Sequence, residues 1–467
     1  MRPVLVRLRP VVRATRTADG LHLRGWTSSC TITGGAGLWK VWQRLAPQLS
    51  AGLHPDALAV PDDTAPAVRA AVELLLDQLR EHDMLVSLSE PWGADGPGPD
   101  VAAWLESVAP DPVEAWRRLR AGVTTVTGSG PLAEAIVRSA VVAGLLVRAN
   151  VTSADEVRVQ AGDFTVQAGC GTEVGYVLPT TETSLSFDTE VTSRIVARLG
   201  LIGEPGEVIA ALVGAAAVHR LTCALIGLDD SDLVLVARTD PLRSTYHPLL
   251  TGTPLDDPRK AFDALTDEEL GPVDTPRLGA LPQTPVSLAL SGDTLGIGTT
   301  ADAARLDAAL HALKCEGVIG VDDHHARGAA LRLAARHLGG EPADPDEWTT
   351  DRTARRWWKA LTRRFRQPAV VDVRKLAPDA YRAEVRQGQR VLAWSVEATA
   401  ADAVAFAALA ATGHAQAGRE GTAHVAGPED EKLHRALEGL PGIRITPLAL
   451  DPELTAAGLV AYTVDGR

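Results

Sequence analysis

The sequence is short of cysteine, methionine, long apolar runs and positive charge, and each shortage narrows what the chain can be. Four cysteines in 467 residues (Cys30, Cys170, Cys223, Cys315) stand far apart with no C-x-x-C pair. That excludes a typical zinc ribbon and a disulfide framework, and makes a reducing cytoplasm the expected compartment. No continuous apolar run reaches membrane-spanning length, and Met1-Arg-Pro-Val lacks a signal-peptide core, so no membrane segment is expected. Lys and Arg number 46 against 59 Asp and Glu, a net charge of -13 that disfavours non-specific nucleic-acid binding.

What is present is ordinary globular composition, 45% hydrophobic and 22% charged, in a chain long enough for about three domains. The charge is uneven. Residues 1 to 55 hold Arg2, Arg7, Arg9, Arg13, Arg16, Arg24, Lys40 and Arg44 against Asp19 alone, a bias suited to an acidic partner.

Residues 123 to 147 read as strand, glycine turn, helix and second apolar strand from Gly144, a Rossmann-like βαβ unit. Gly128, Gly130 and Ala133 occupy the small positions of G-x-G-x-x-G/A, which permit the turn, a close phosphate and tight helix–strand packing. Pro131 removes a donor from the helix start, and Arg148-Ala149-Asn150 offers no carboxylate for a ribose. The turn is therefore expected to be vestigial as a nucleotide site.

Upstream, residues 10 to 17, the turn Ala18-Asp19-Gly20 and residues 21 to 26 read as a β-hairpin, followed by a short strand at 28 to 33. A helix at 37 to 46, a short turn or helix at 54 to 58 and a helix at 65 to 86 follow, the last with Val68, Val72, Leu75 and Leu79 at helical spacing. Three strands and three helices describe a winged-helix module. Gly37-Leu-Trp-x-x-Trp-x-x-Leu45, then Leu75-Leu76-x-x-Leu79 and Met84-Leu85-Val86, resemble the PqqD-like precursor-peptide recognition element of ribosomal-peptide biosynthesis. The resemblance implies that an extended leader peptide adds a strand along Ser29, Cys30, Thr31 and Ile32, against a helix face bearing Leu75, Gln78 and Leu79. Two alternatives stay open: a winged-helix DNA-binding regulator, disfavoured by Glu73, Asp77 and Glu81 on that helix, and an oligomerisation module.

A Gly/Pro-rich linker at 91–100 leads to a helical stretch ending in Trp116-Arg-Arg-Leu119, then to Gly128-Ser-Gly-Pro-Leu-Ala133. This order resembles the ThiF-like partners of YcaO cyclodehydratases in azole-forming (thiopeptide, TOMM) peptide biosynthesis. The expected organisation is α/β multidomain: winged helix 1–90, Rossmann-like ThiF-type domain 101–260, and a C-terminal α+β domain 261–467. The small-residue helix of residues 205 to 227 suits a core or a dimer interface. His219 and Cys223 on it, the basic helix with Trp357 and Trp358, and Arg194 with Arg198 read as structural or surface features. Cys170, between glycines, is the cysteine with most nucleophile character.

Gly296-Ile-Gly-Thr-Thr and the helix after it resemble the ATP-binding segment of YcaO enzymes. The two carboxylate positions implied by that resemblance fall on His311 and Lys314, which cannot hold Mg²⁺. A degenerate YcaO-like fold is the result. The expected role is leader capture for a partner YcaO cyclodehydratase, with no cofactor of its own because ATP and Mg²⁺ act on the partner. A homodimer stays open, and neither nucleic acid nor membrane is expected as a partner. The competing class is a nucleotide-dependent, ThiF-type adenylating enzyme.

Overall fold

The computed structural model describes residues 5–61, 64–89, 92–152, 156–182, 189–228, 231–252, 254–255 and 257–465; Arg2 and part of the 91–100 linker lie outside them. The chain divides into two compact units, Met1–Tyr246 and His247–Arg467.

The first unit opens with β1 (Leu5–Leu8), β2 (Arg13–Arg16), β3 (Gly20–Arg24) and β4 (Ser29–Thr33), then α1 (Ala36–Ala51), α2 (Pro66–Glu81) and β5 (Leu85–Leu88). The Asp19-Gly20 turn folds β2 onto β3, and β4 completes a three-stranded antiparallel sheet. Leu85 and Val86, expected to finish a helix, open β5 instead, which pairs with β1. Helix α2 stops at His82 because Asp83 takes a left-handed φ of 49° that turns the chain back. Alternation decides the sheet's faces. Leu21, Leu23 and Ile32 point inward against Leu38, Trp42, Leu75 and Leu79, each contributing about 1.5–3 kcal/mol of burial.

The segment expected to be one helix before the glycine turn breaks at Pro110 into α3 (Pro99–Val108) and α4 (Pro112–Arg120), the latter capped by Asp111. β6 (Val123–Thr127), α5 (Gly130–Val142) and β7 (Leu146–Asn150) form the anticipated βαβ unit, with β6 and β7 parallel. The sheet then departs from a doubly wound pattern. β8 (Val157–Ala161) runs antiparallel on the other side of β6, and β9 (Phe164–Cys170) and β10 (Val174–Val177) continue antiparallel. The few residues between β7 and β8 are too short for the crossover that a parallel strand requires. After β11 (Thr181–Glu182) and α6 (Thr189–Leu199), α7 (Glu207–Ile226) leads to β12 (Val234–Thr239) and β13 (Leu242–His247). The sheet order is β13-β12-β10-β9-β8-β6-β7.

By length and composition α7 could cross a membrane, the one such helix among the described residues, and so an exception to the sequence expectation. Its Ile209, Val213, Ala217 and Leu221 lie in the core of this unit instead. Gly214 makes that packing possible, since a Cβ there would stand 3.0 Å from Ala135 Cβ and from the Ile136 nitrogen on α5.

The second unit contains α8 (Pro258–Leu265), the hairpin β14 (Ser287–Ser291) and β15 (Thr294–Gly298), α9 (Ala301–Ala312), β16 (Val318–Gly320) and α10 (Asp323–Ala335). β17 (Glu341–Pro342), α11 (Asp346–Thr349) and α12 (Arg352–Lys359) follow. Next come the long strands β18 (Val370–Ala377), β19 (Ala380–Gln387) and β20 (Arg390–Glu397), then α13 (Ala400–Ala417) and β21 (Ala423–His424). The chain closes with α14 (Glu431–Glu438), β22 (Ile445–Leu448), α15 (Pro452–Ala456) and β23 (Val460–Val464). The alanine-rich α13 lies on the sheet β17-β18-β19-β20-β21, where Ala403, Ala407 and Ala411 let it approach closely. Trp357 belongs to that core too, as its structural reading expects.

Candidate functional site

The first unit exposes an open strand edge. At one end of the β3–β4 hairpin Gly25 N–H donates to Ser28 O (2.8 Å), and at the other Gly34 N–H donates to Asp19 O (2.9 Å). Between them the register pairs Leu23 with Cys30 and Leu21 with Ile32. Antiparallel ladders alternate, so Cys30 and Ile32 turn their backbone groups to β3, while Ser29, Thr31 and Thr33 turn theirs outward. Among the described residues β4 pairs only with β3. Successive N–H and C=O pairs are thus left for an added strand.

The wall beside this edge is the C-terminal half of α2. Ser28 Oγ donates to His82 O (2.7 Å), and Gln78 Nε2 donates to Glu81 Oε2 (2.8 Å). Burial, then the charge of Glu81, pushes the Cys30 thiol up, so it stays a neutral thiol between strand and helix. Leu75 and Leu79 are fully buried and Ile32 is 4% exposed; these three expected contact residues support the groove from within and do not line it. The helix stripe left at the surface is Leu74, Gln78 and Glu81, at i, i+4 and i+7, with Leu74 and Glu81 exposed and Gln78 half-buried. Four leucines in six positions blur the phase of this helix in the sequence, and its packing in the core sets which of them face inward.

Four cations of the basic N-terminal stretch, Arg7, Arg9, Lys40 and Arg44, are engaged away from this edge, while exposed Arg24 stands opposite Ser29. Arg7 Nη1 pairs with Glu106 (2.7 Å), and Arg9 grips Asp83 at 2.9 and 3.1 Å while donating to Glu106 O and Ala109 O. Lys40 and Arg44 rim a separate apolar cavity of about 460 Å³ between α1 and α2. The helix wall itself carries exposed Glu73, Asp77 and Glu81.

The glycine turn has the backbone that its sequence requires. Gly128 adopts φ 147° and Gly130 φ 76°, and a Cβ on Gly130 would meet nothing within 4 Å. Ala133 is buried on the core side of α5. Two donors are nonetheless missing for an anion: Gly128 N–H is bonded to Asn150 O (3.1 Å), and Pro131 has no N–H. Burial pushes the Cys170 thiol up to about 12, the opposite of an activated nucleophile. His219 Nε2 lies 3.7 Å from Cys223 Sγ, and that pair acquires no third ligand among the described residues.

In the second unit, Gly296 and Gly298 serve packing. A Cβ on Gly296 would fall 2.1 Å from Ala304 O, and one on Gly298 2.6 Å from Ala304 N, so the pair seats α9 directly on β15. A cavity of about 560 Å³ opens beside α9, lined among others by Asp307, His311, Lys314, Arg336, Trp394 and His424. Asp307 accepts from the Ile297 amide (2.9 Å) and lies 3.2 Å from His311 Nδ1. That contact raises the His311 imidazole to about 9, a cation at neutral pH. His424 is stacked on Trp394 at 3.9 Å; burial, then the nearby cations, pushes it down to about 3, and its Nε2 has no hydrogen-bond partner among the described residues. Among the described lining residues Asp307 is the sole carboxylate, and it is already engaged.

Beyond this cavity lies a fully buried cation. Arg332 donates to Val396 O (3.2 Å), to Glu397 Oε2 (3.2 Å), to Pro428 O (3.1 Å) and through Nη1 to both Glu429 oxygens (3.2 and 3.0 Å). Burial raises Glu397 despite Arg332; for Glu429 burial acts upward, but bonds from His434 and Arg332 outweigh it and lower the carboxyl. No local motif announces this network, because its members lie 65 and 97 residues apart in the chain.

Two solved structures resemble the whole chain. A heterocyclase in complex with substrate and cofactor superimposes with a TM-score of 0.61 at 10% identity, covering 99% of this chain and 95% of that one. The heterocyclase TruD gives 0.56 at 11%, with 99% and 94% covered. The likeness is one of fold: the chain has a heterocyclase-like, mixed α/β multidomain architecture. No family model and no curated protein matches the sequence.

Proposed function

We propose that this chain captures the leader of a ribosomally made precursor peptide on the β4 edge and presents it to a YcaO-type cyclodehydratase, which forms azolines from Cys, Ser or Thr. The observation that carries the reading is the row of outward backbone groups at Ser29, Thr31 and Thr33, beside the Leu74–Gln78–Glu81 stripe. The module at 1–90 then acts as a PqqD-like winged-helix recognition element, 101–260 as a ThiF-type scaffold with a vestigial glycine turn, and 261–467 as a degenerate YcaO-like domain. The heterocyclase-like fold supports a peptide-modifying context. Tethering raises the effective concentration of core residues at the partner's active site, so this chain needs no chemistry of its own. The four free cysteines suit a reducing cytoplasm. The acidic wall of α2 weighs against a DNA-binding role.

The test is fluorescence anisotropy of the labelled leader with the full chain and with Thr31→Pro. Proline at an outward position removes one free N–H and breaks no backbone β3–β4 bond, as edge strands tolerate; the exposed side-chain contact of Thr31 Oγ1 with His22 Nδ1 (2.9 Å) goes with it. Losing that bond and leaving the peptide carbonyl unsatisfied costs about 1–3 kcal/mol, roughly 5- to 150-fold in affinity. Equal binding by both proteins would refute capture on this edge.

The cationic lining of the second unit's cavity favours one other reading, a nucleotide-dependent enzyme whose phosphates meet His311, Lys314 and Arg336. Saturable ATP binding abolished by Lys314→Glu would favour it; no binding would leave ATP to the partner.

A further inference from the structure

A cluster in the second unit belongs to neither the groove nor the cavity. His324 stands in the first turn of α10, and Glu431 and His434 in the first turn of α14. One donor atom of each lies within 4.8 Å of the other two, with His324 Nδ1 3.6 Å from Glu431 Oε1. The two imidazole rings sit 4.6 Å apart. A tetrahedral ion with ligands near 2.0–2.2 Å sets its donors about 3.3 Å apart, so small rotations of the two exposed side chains would close the site.

The support behind these ligands is built in. His434 is buried, and its Nε2 lies 2.7 Å from Glu429 Oε2. An ionised carboxylate only accepts, so Nε2 is the nitrogen that donates to Glu429, and Nδ1 is the one that would ligate a metal. Glu429 is in turn fixed by the fully buried Arg332. This is the carboxylate–histidine arrangement that orients metal-ligating imidazoles and raises their basicity. Gly328, one turn along α10 from His324, makes room for it: a Cβ there would fall 1.9 Å from Glu429 Oε2 and 2.4 Å from His434 Nε2. A surface ion pair between His324 and Glu431 would need neither the buried imidazole nor the cleared space.

We propose that His324, Glu431 and His434 form a binding site for a divalent transition metal of the zinc class. Two imidazoles and one carboxylate suit Zn²⁺ and its neighbours and disfavour Mg²⁺ and Ca²⁺, which prefer all-oxygen shells. The ion would clasp the start of α14 to the start of α10 and leave a fourth coordination position for water or a partner's side chain.

The test is Zn²⁺ titration of the EDTA-stripped, dialysed full chain, in competition with a chromogenic chelator. A single equivalent is expected to bind the wild type tightly. His324→Ala and Glu431→Gln, both on exposed residues, are expected to weaken it by at least about tenfold, and Glu429→Gln by roughly 10- to 100-fold. His54→Ala, on an exposed histidine of the other unit, should leave it unchanged. Co²⁺ in place of Zn²⁺ should give tetrahedral d–d absorption that is lost in the same variants, and thermal melts of the metal-free proteins establish that each is folded. Binding only in the millimolar range, or equal binding by wild type and His324→Ala, would overturn the proposal.

Discussion

Replacing Arg332 by methionine tests the second unit's buried network. The new side chain fills similar length with no charge, leaving Glu397 and Glu429, with side chains 4% and 18% exposed, without their cation. Glu397 keeps only neutral donors, Ser395 Oγ and Gly427 N–H, each at 2.8 Å. Breaking a buried pair from one side costs about 3–5 kcal/mol, because the uncompensated charge stays buried. In a unit of this size each kcal/mol moves the midpoint by roughly 2–4 °C, so the second unit's transition should fall by about 6–20 °C in differential scanning calorimetry. The sign with pH follows from Glu397. Burial raises its folded pKa above the unfolded value, so the folded state binds the extra proton and gains stability as pH falls through that window. Losing Arg332 enlarges the effect, so the deficit should be greater at pH 8 than at pH 5.5. The triple variant Arg332→Met, Glu397→Gln, Glu429→Gln should recover much of the loss, since it leaves no unpaired charge. A midpoint shift under about 2 °C, or a deficit that grows on acidification, would refute the reasoning.

Three further outcomes follow from the geometry. Gly296→Ala forces a Cβ to within 2.1 Å of Ala304 O, so α9 must lift from β15 at a cost of about 1–3 kcal/mol, measurable by urea denaturation. Ile32→Asp places a carboxylate in the N-terminal core and should unfold that module by circular dichroism, so it cannot report on peptide binding. His311, raised to about 9 by Asp307, contributes stability that is complete below its unfolded pKa near 6.5 and fades as pH rises through 9. Its side chain is half exposed, so the wild-type advantage over His311→Gln should stay below about 1 kcal/mol at pH 6.5 and vanish by pH 10 in thermal melts.

Local signals in the sequence carried the fold wherever the physics is local. Asp19-Gly20 placed a hairpin, Gly128 and Gly130 a positive-φ turn, and Gly227 the left-handed end of α7. Signals failed where a remote partner decides. Nothing local tells that Leu85 and Val86 leave the helix for a strand paired with β1, or that β8 returns antiparallel across β6. Gly296-x-Gly298 has the spacing of a phosphate turn, yet its missing Cβ atoms accommodate a helix backbone. Within the groove, Ser29, Cys30 and Thr31 were legible as an edge strand. Leu75 and Leu79 were not legible as core, since either face of a leucine-rich helix satisfies the pattern. Arg332 and the His324–Glu431–His434 cluster are assembled from segments roughly a hundred residues apart, beyond any spacing rule.

Residue-resolved amide hydrogen exchange on the full chain, with and without the leader peptide, tests capture on the β4 edge most directly. The amides of Ser29, Thr31 and Thr33 point outward, whereas those of Cys30 and Ile32 are already bonded to β3. Peptide binding should therefore slow exchange at 29, 31 and 33 and leave 30 and 32 nearly unchanged. Protection confined to another surface, or bound peptide with no change at the three outward amides, would contradict the account.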